Sequence, residues 1–262
     1  MATYGLAGLS IKNHVTCFRL RFFVVKEVYM AFNERTIMAV EAEKYERIIN
    51  SHIVLVGVGG VGGAALECFV RFGIKKITII DFDTIDETNL NRQIISTIDT
   101  VGKYKVDVAK QRALSINPEC DITTYNLFIE KESLNIISDL SPDFVVDAID
   151  SVKSKLDLIE YCKENDIKII SAMGTGNRFS IDGFIIDTVE NTAGNGCGLS
   201  RVMRQELRKR GINGHISLFN KYPPQSKSVN SSNGRHAPGS TVFAPNLAGI
   251  MIAQYVCEQL GK

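Results

Sequence analysis

The residues most able to do chemistry in this sequence begin with a glycine-rich segment, Gly57-Val58-Gly59-Gly60-Val61-Gly62. An apolar run precedes this segment and an amphipathic stretch follows it, which is the strand-to-helix setting that a phosphate-binding loop requires. Glycines let the backbone approach a polyphosphate, and the free N–H groups of a helix N-terminus favour its negative charge. Asp81 ends the next predicted strand, where its carboxylate can accept hydrogen bonds from ribose hydroxyls. The pattern predicts a nucleotide site.

The residues that follow Asp81 favour a triphosphate over a dinucleotide. They add an amide, a guanidinium and an ammonium to the predicted site, from Asn89, Arg92 and Lys105. Asp83 and Gln93 are also predicted to contact the nucleotide. A dinucleotide holds only a diphosphate and needs no such cluster. A triphosphate whose bridging bond breaks does need one, because charge accumulates on the leaving pyrophosphate. We therefore predict ATP as the cofactor, with Arg92 and Lys105 catalytic; the alternative is that both are solvated surface charges.

A second group of carboxylates ends another predicted strand, in Val145-Val146-Asp147-Ala148-Ile149-Asp150. A hard oxygen ligand at this position can hold Mg²⁺ against the phosphates of a nucleotide. We predict that Asp150 is the metal ligand and a catalytic residue. The alternative is that Asp150 caps a helix beginning near Val152.

Hydrophobic periodicity predicts the elements that position these residues. Strands are expected at 52–56, 76–81, 121–126, 143–147 and 168–172, and helices at 41–49, 61–72, 105–116, 131–138 and 152–165. Alternating strands and helices indicate an α/β fold with a Rossmann-like, doubly wound, mostly parallel sheet. A carboxyl-terminal extension follows, with strands at 184–189 and 215–219, a helix at 199–210 and a helix at 247–260 capped by Asn246. The ligand is expected at the carboxyl ends of the strands.

The amino-acid composition and the spacing of the cysteines indicate the class of protein and its cellular setting. The chain has 262 residues, 45% hydrophobic and 23% charged, which favours an ordered and soluble protein without stable membrane insertion. Its six cysteines include no C-x-x-C pair, so we expect a reducing, cytoplasmic setting. We predict an amino-terminal arm or non-native extension over 1–29, an ATP-binding domain over 30–180, and an extension of that domain over 181–262. The basic arm leaves organellar targeting open.

The charge is uneven along the chain. Residues 199–244 contain eight lysines and arginines but only one acidic residue, Glu206. On the predicted helix, Arg201, Arg204 and Arg208 share one face, with Lys209 and Arg210 beside them. Such a face suits a phosphate-rich partner; a solvated helix face is the alternative.

The ordered motifs GVGGVGG, DFDTIDETNLNRQ, VGKYK, NPEC and DAIDS resemble the ubiquitin-activating-like ATP-dependent adenylating enzymes over residues 33–180. The resemblance implies a homodimer that uses ATP and magnesium to convert a carboxylate to an acyl adenylate. It implies that the 30–180 domain is an adenylation domain and that the extension over 181–262 faces the substrate. Carried over by motif, Gly60 contacts phosphate, Asp81 the ribose, and Asn89, Arg92 and Lys105 the triphosphate. It also places the metal at Asp150, and it assigns Arg35 to the nucleotide of the neighbouring subunit.

Further segments resemble one branch of this family, which dehydrates threonylcarbamoyladenosine in tRNA to a cyclic form. They are the stretches 147–155, 171–176, 199–210 and 239–245. This resemblance makes tRNA the partner and leaves a sulfur-transfer protein open as another partner. An intramolecular closure needs no nucleophile from the protein, so we interpret Cys197 as a loop thiol; the alternative is a nucleophile, as in relatives that form thioesters. The alternatives are an activator of a ubiquitin-like or sulfur-carrier protein, an RNA-binding nucleotide sensor without turnover, and a nicotinamide dehydrogenase.

Overall fold

The computed structural model of the chain describes residues 32–225, 229–230 and 236–262. It divides into two compact units, residues 1–45 and residues 46–262. The described part of the first unit comprises helix α1, over residues 32–39, and the start of helix α2 (Ala42–Ile49). At the end of α1, the Val40 N–H donates to the Thr36 carbonyl at 3.1 Å. The predicted amino-terminal arm, 1–29, lies outside the described residues.

The second unit contains a seven-stranded sheet. Its strands are β1 (His52–Val56), β2 (Lys76–Asp81), β3 (Asp121–Asn126), β4 (Phe144–Asp147), β5 (Ile169–Ala172), β6 (Phe184–Thr188) and β7 (Ile216–Asn220). The helices around it are α3 (Gly60–Phe72), α4 (Lys105–Ile116), α5 (Asn135–Asp139), α6 (Val152–Glu164), α7 (Gly198–Lys209) and α8 (Phe243–Leu260). A short antiparallel pair, β8 (Val229–Asn230) and β9 (His236–Ala237), stands apart from the sheet.

The strand order is β3-β2-β1-β4-β5-β7-β6, and every neighbouring pair is parallel except β6 with β7. The order reverses direction between β1 and β4, which is the point where doubly wound sheets open a crevice for ligands. The strand β1 is buried along its whole length, as expected for a central strand covered by helices on both faces. The predicted fold class, a mostly parallel α/β sheet with a strand and helix extension, is confirmed.

Two predicted elements were wrong in detail. The helix expected at 131–138 is a 3-10 turn, Lys131–Ser133, followed by the short α5. The last helix begins at Phe243 rather than 247, because proline is tolerated in the first turn of a helix and Pro245 falls there. Asn246 therefore does not cap α8; its Nδ2 donates instead to the carbonyl oxygens of Arg92 and Val242.

Within the described residues, the structure contains no apolar helix of the length that a membrane span requires.

Candidate active site

A cavity of about 210 Å³ opens at the carboxyl ends of β1, β2 and β4. It brings together nine of the residues predicted from the sequence: Gly57, Gly59, Gly60, Asp81, Asp83, Arg92, Gln93, Lys105 and Asp150. These residues come from five separate segments of the chain. The strand reversal beside β1 therefore gathers the predicted nucleotide-binding residues at one place.

Two predicted residues of this unit are not part of that lining. Asn89 is buried, and its Oδ1 accepts a hydrogen bond from the Asp86 N–H at 3.1 Å, which closes a turn of 3-10 helix. Gly62 is buried inside the first turn of α3. Within the described ranges, both residues support the loops around the cavity rather than its surface. Arg35 is exposed on α1, in the first unit.

The glycine-rich loop needs glycine for two different physical reasons. Gly57 has φ of +89°, and a Cβ there would lie 2.8 Å from the Ala148 carbonyl oxygen. At Gly62 a Cβ would collide with the Gly57 carbonyl, so the loop can fold over the start of α3 only without a side chain. Because the first N–H groups of a helix have no partner within it, the turn beginning at Gly60 presents donors to an anion.

Asp81 is held at the end of β2 by one backbone N–H of the glycine loop and one of the segment that follows β2. Its Oδ2 accepts from the Val58 N–H at 2.7 Å and its Oδ1 from the Asp83 N–H at 2.9 Å. Burial raises the pKa of this carboxyl, while Lys105 and the two N–H groups act in the opposite direction. Each carboxylate oxygen retains a lone pair for a ribose hydroxyl, as the predicted role requires.

Lys105 carries a buried cation into the cavity. Its backbone N–H donates to the Asp83 carbonyl at 2.9 Å, and its Nζ donates to Asp83 Oδ2 at 2.7 Å. The lysine side chain is 8% exposed and the aspartate side chain 47%, so the pair lies at the cavity wall. An ammonium in this position attracts phosphate more strongly than a solvent-exposed ammonium does, because less water screens its charge.

Arg92 and Gln93 line the cavity next to the glycine loop, where a Cβ at Gly59 would lie 3.7 Å from Gln93 Nε2. The Arg92 Nη1 donates to the Thr88 carbonyl at 2.6 Å and to Asn91 Oδ1 at 2.9 Å. Burial lowers the pKa of Arg92 from its usual value. Among the described residues Arg92 has no carboxylate partner. Its charge is therefore available to an anionic ligand.

Asp150 lines the cavity on the segment between β4 and α6 and is exposed. It does not cap α6: Ser151 is the capping residue, with its Oγ accepting from the Ser154 N–H at 3.5 Å. A buried ion pair lies behind this segment, with Lys155 Nζ donating to Asp147 Oδ2 at 2.7 Å and neither side chain exposed. Asp147 Oδ1 accepts from the Ile149 N–H at 3.1 Å and so fixes the segment that carries Asp150.

Sequence reasoning did not identify several residues of the cavity. Phe82 and Phe128 pack edge to face with ring centroids 4.7 Å apart, and both line the cavity next to Asp81. Thr175, Ser240 and Pro245 reach it from distant parts of the chain. Phe82 was detectable because it directly follows Asp81, but Phe128 and the distant residues carry no local signal.

The helix predicted to bind a phosphate-rich partner is α7. Its basic side chains differ in how exposed they are and in whether they bond to other residues of the protein. Arg201 and Arg208 are exposed, whereas the half-buried Arg204 donates from Nη1 to Thr192 Oγ1 at 2.8 Å. Lys209 and Arg210 pair with Glu206, and Arg210 also approaches Glu160 at 3.6 Å. Cys197 precedes this helix as its capping residue, with its buried Sγ accepting from the Ser200 N–H.

The parallel sheet, the glycine loop at a helix N-terminus and the carboxylate at the end of β2 define a nucleotide-binding α/β protein. The model of the ThiF family matches residues 33–258, and the chain belongs to that family. The tRNA threonylcarbamoyladenosine dehydratase of Bacillus subtilis (strain 168) is 33% identical over 240 residues, 87% of this chain and 94% of the relative.

Solved structures agree with this assignment. The E. coli tRNA N6-threonylcarbamoyladenosine dehydratase, TcdA, in complex with AMP has a TM-score of 0.81 and 26% identity, over 89% of this chain and 95% of that chain. The same E. coli protein in complex with ATP has a TM-score of 0.79 with the same identity and coverage. Both complexes hold an adenine nucleotide.

Proposed function

We propose that this chain is an ATP-dependent dehydratase that adenylates threonylcarbamoyladenosine in tRNA and closes it to its cyclic form. The observation that carries the proposal is the single cavity in which the glycine loop, Arg92, Lys105 and Asp150 meet. Membership of the ThiF family and similarity to the named dehydratases support it. The carrier-protein activator is not favoured, because these relatives act on tRNA by name.

The reaction needs two displacements. A carboxylate oxygen of the threonyl group attacks the α-phosphorus of ATP, and the bond to the bridging oxygen breaks to release pyrophosphate. A nitrogen or oxygen of the carbamoyl group then attacks the acyl carbon, AMP leaves, and a proton is lost. Because the second attack is intramolecular, correct positioning supplies much of the acceleration. This sequence requires no nucleophile from the protein, so a buried Cys197 is compatible with it.

The cavity residues divide between the two ends of the nucleotide. Phe82 and Phe128 provide an apolar place for a base beside Asp81, which accepts from the ribose. The glycine loop, Arg92 and Lys105 take the phosphates, because backbone N–H groups and cations stabilise the charge that develops on pyrophosphate. Asn89 acts indirectly, by shaping the turn that carries Arg92.

Magnesium fits the donors that are present. Among the described residues, no three of His, Cys, Asp and Glu converge as a metal site. Mg²⁺ that accompanies a nucleotide needs only one or two carboxylates besides the phosphate oxygens and water, and the exposed Asp150 supplies one. When bound, the ion neutralises charge on the phosphates.

Asp150→Ala is expected to abolish turnover and to weaken the dependence of ATP binding on Mg²⁺, because it removes the carboxylate proposed to hold the ion. The melting temperature should stay near that of the wild type, since Ser151 rather than Asp150 caps α6. Titration of ATP by calorimetry with and without Mg²⁺ measures the effect. Unchanged turnover would remove Asp150 from the metal role.

Replacing both Arg201 and Arg208 by alanine is expected to weaken tRNA binding. The slope of log K against log salt should fall by about 1 for each lost phosphate contact. Filter binding between low and moderate salt gives the slope, and Arg112→Ala serves as the control, because Arg112 is an exposed arginine that pairs with Glu67 on a different helix. An unaltered slope would mean that α7 does not have its proposed role in tRNA binding. Smaller contributions are expected from Arg204, Lys209 and Arg210, because these side chains already bond to other residues of the protein.

The assembly is proposed from family resemblance alone. A homodimer would let the exposed Arg35 of one copy reach the nucleotide of the other, so Arg35→Ala should lower turnover. Mixing this variant with a Lys105→Met variant should restore part of the turnover, because one site of the mixed dimer then has both an intact Lys105 and an intact Arg35 from the other copy. A sulfur-transfer partner stays a prediction from the same resemblance.

Mass analysis of tRNA nucleosides tests the proposed function directly. Incubation of modified tRNA with the protein, ATP and Mg²⁺ should convert threonylcarbamoyladenosine to a species lighter by one water, with release of pyrophosphate and AMP. Unchanged nucleosides, together with pyrophosphate exchange that depends on a small carrier protein, would overturn the proposal in favour of the activator.

A further inference from the structure

Two exposed phenylalanines lie beside the cavity without being part of it. Phe179 is 71% exposed and Phe243 is 52% exposed, although they come from distant segments of the chain. Their rings meet edge to face with centroids 5.9 Å apart. We call these two side chains the aromatic platform. Large apolar rings in water are costly, so their pairing on the surface points to a ligand.

The backbone fixes the two segments that carry the platform. The Asn177 N–H donates to the Gly239 carbonyl, and the Gly239 N–H donates back to Asn177 Oδ1, both at 2.6 Å. The Phe179 N–H donates to Gln225 Oε1, also at 2.6 Å. The rings are therefore presented by a braced surface, which lowers the entropy lost on binding.

The platform is continuous with the cavity on one side. Thr175 precedes Phe179 by four residues, and Ser240 precedes Phe243 by three; both Thr175 and Ser240 line the cavity. Pro245, two residues after Phe243, lines it as well. A ligand leaving the mouth along these two segments meets the phenylalanine rings.

On the other side, a chain of contacts leads to the basic helix α7. Arg178 Nη1 donates to the Tyr222 carbonyl at 2.8 Å, and the Lys221 ammonium lies 5.1 Å from the centre of the Tyr222 ring. Asn195 Nδ2 donates to the Asn220 carbonyl at 3.2 Å, just before α7 begins. These contacts link the platform to the N-terminal end of α7, the helix that carries the exposed Arg201 and Arg208.

We propose that the aromatic platform stacks an unpaired nucleobase of the tRNA that neighbours the reacting adenosine. The inference rests on the proposed function, which brings that adenosine to the cavity mouth and so leaves its neighbours at the rim. Exposed aromatic rings bind splayed-out bases of single-stranded loops through their faces, and nearby cations hold the backbone. Two rings cover at most about 500 Å², below the roughly 800 Å² that each partner contributes to a stable protein interface, which favours a base over a second copy of this chain.

The test compares two double variants of the full chain. Phe179→Leu/Phe243→Leu keeps an apolar surface but removes the aromatic faces, whereas Phe179→Tyr/Phe243→Tyr keeps the faces. In the leucine variant KM for modified tRNA should rise by about 5- to 150-fold, the range for losing one stacked base. Its kcat and its KM for ATP should stay at wild-type values, and the tyrosine variant should behave as the wild type.

Each other outcome overturns the inference. The platform does not bind tRNA if KM is unchanged in the leucine variant or if both variants lose the same affinity. A changed sedimentation coefficient would also refute the proposal, because it would assign the platform to a subunit interface. The proposed function is judged separately, because a wild-type chain that leaves the nucleoside unconverted refutes the reaction. Anisotropy titration of a labelled RNA hairpin with an unpaired loop tests the platform even then: equal affinity of wild type and leucine variant refutes it.

Discussion

Lys105→Met is expected to lower kcat/KM for ATP by about 10²- to 10³-fold, the usual loss when one charged or donating group leaves a site of developing negative charge. Methionine keeps most of the volume of the side chain and deletes only its charge. The buried Nζ of Lys105 is held 2.7 Å from Asp83 Oδ2, so the ammonium is already in place before a phosphate arrives. Pyrophosphate exchange measures the effect on the adenylation step.

The control for this prediction is Lys103→Met. Lys103 is exposed and lies two residues before Lys105, in the loop that precedes α4. It removes the same charge from the protein without touching the cavity, and its exchange rate should match that of the wild type. A similar loss in both variants would mean that net charge, rather than the position of the Lys105 ammonium, drives the effect.

The central part of the fold was predictable because its physical signals are local. The strands β1, β2 and β3 and the helix α4 have the predicted boundaries, and the glycine loop sits between β1 and α3 as expected. Continuous apolar runs identify covered strands, and the glycines after β1 mark a turn that other residues cannot make. These features lie within a few residues of one another along the chain.

The rest depended on contacts between distant segments. Asparagine is a common helix-capping residue, which is why the sequence predicted a cap at Asn246. Its side-chain amide instead donates to the carbonyl of Arg92, 154 residues away in the sequence. Thr175, Ser240 and Phe128 join the cavity only because the sheet brings their loops together. Single-sequence periodicity contains no information about such neighbours, which is also why the platform formed by Phe179 and Phe243 was not predicted.

Lys155 is the clearest residue whose environment the sequence conceals. Its pattern on α6 suits an exposed lysine, yet the side chain is wholly buried against Asp147. The Lys155–Asp147 pair fixes the position of the Asp147 carboxylate. The second oxygen of that carboxylate accepts from the Ile149 N–H and so holds the segment that carries Asp150. Positioning of the proposed metal ligand therefore depends on a charge pair that never meets solvent.

Lys155→Met should destabilise the protein by about 3–5 kcal/mol, because it leaves the Asp147 carboxylate buried without its partner. For a chain of this size, that corresponds to a fall of roughly 6–20 °C in melting temperature. Calorimetry gives the value. The double variant Asp147→Asn/Lys155→Met removes both charges and keeps an acceptor for Ile149, so it should be more stable than Lys155→Met alone. Equal melting temperatures would contradict the argument from the unpaired carboxylate.

A second readout distinguishes the charge of Lys155 from its packing. His215 is buried, with Nε2 2.9 Å from Ser171 Oγ, and its pKa is lowered to about 3, first by burial and next by the Lys155 ammonium. Removing that ammonium removes one cause of the depression, so the His215 pKa should rise in Lys155→Met. Since His215 charges only below its folded pKa, the protein should then begin to take up this proton at a higher pH than the wild type. NMR titration of the imidazole follows the shift, and an unchanged His215 pKa would mean that the lysine acts on this cluster through volume alone.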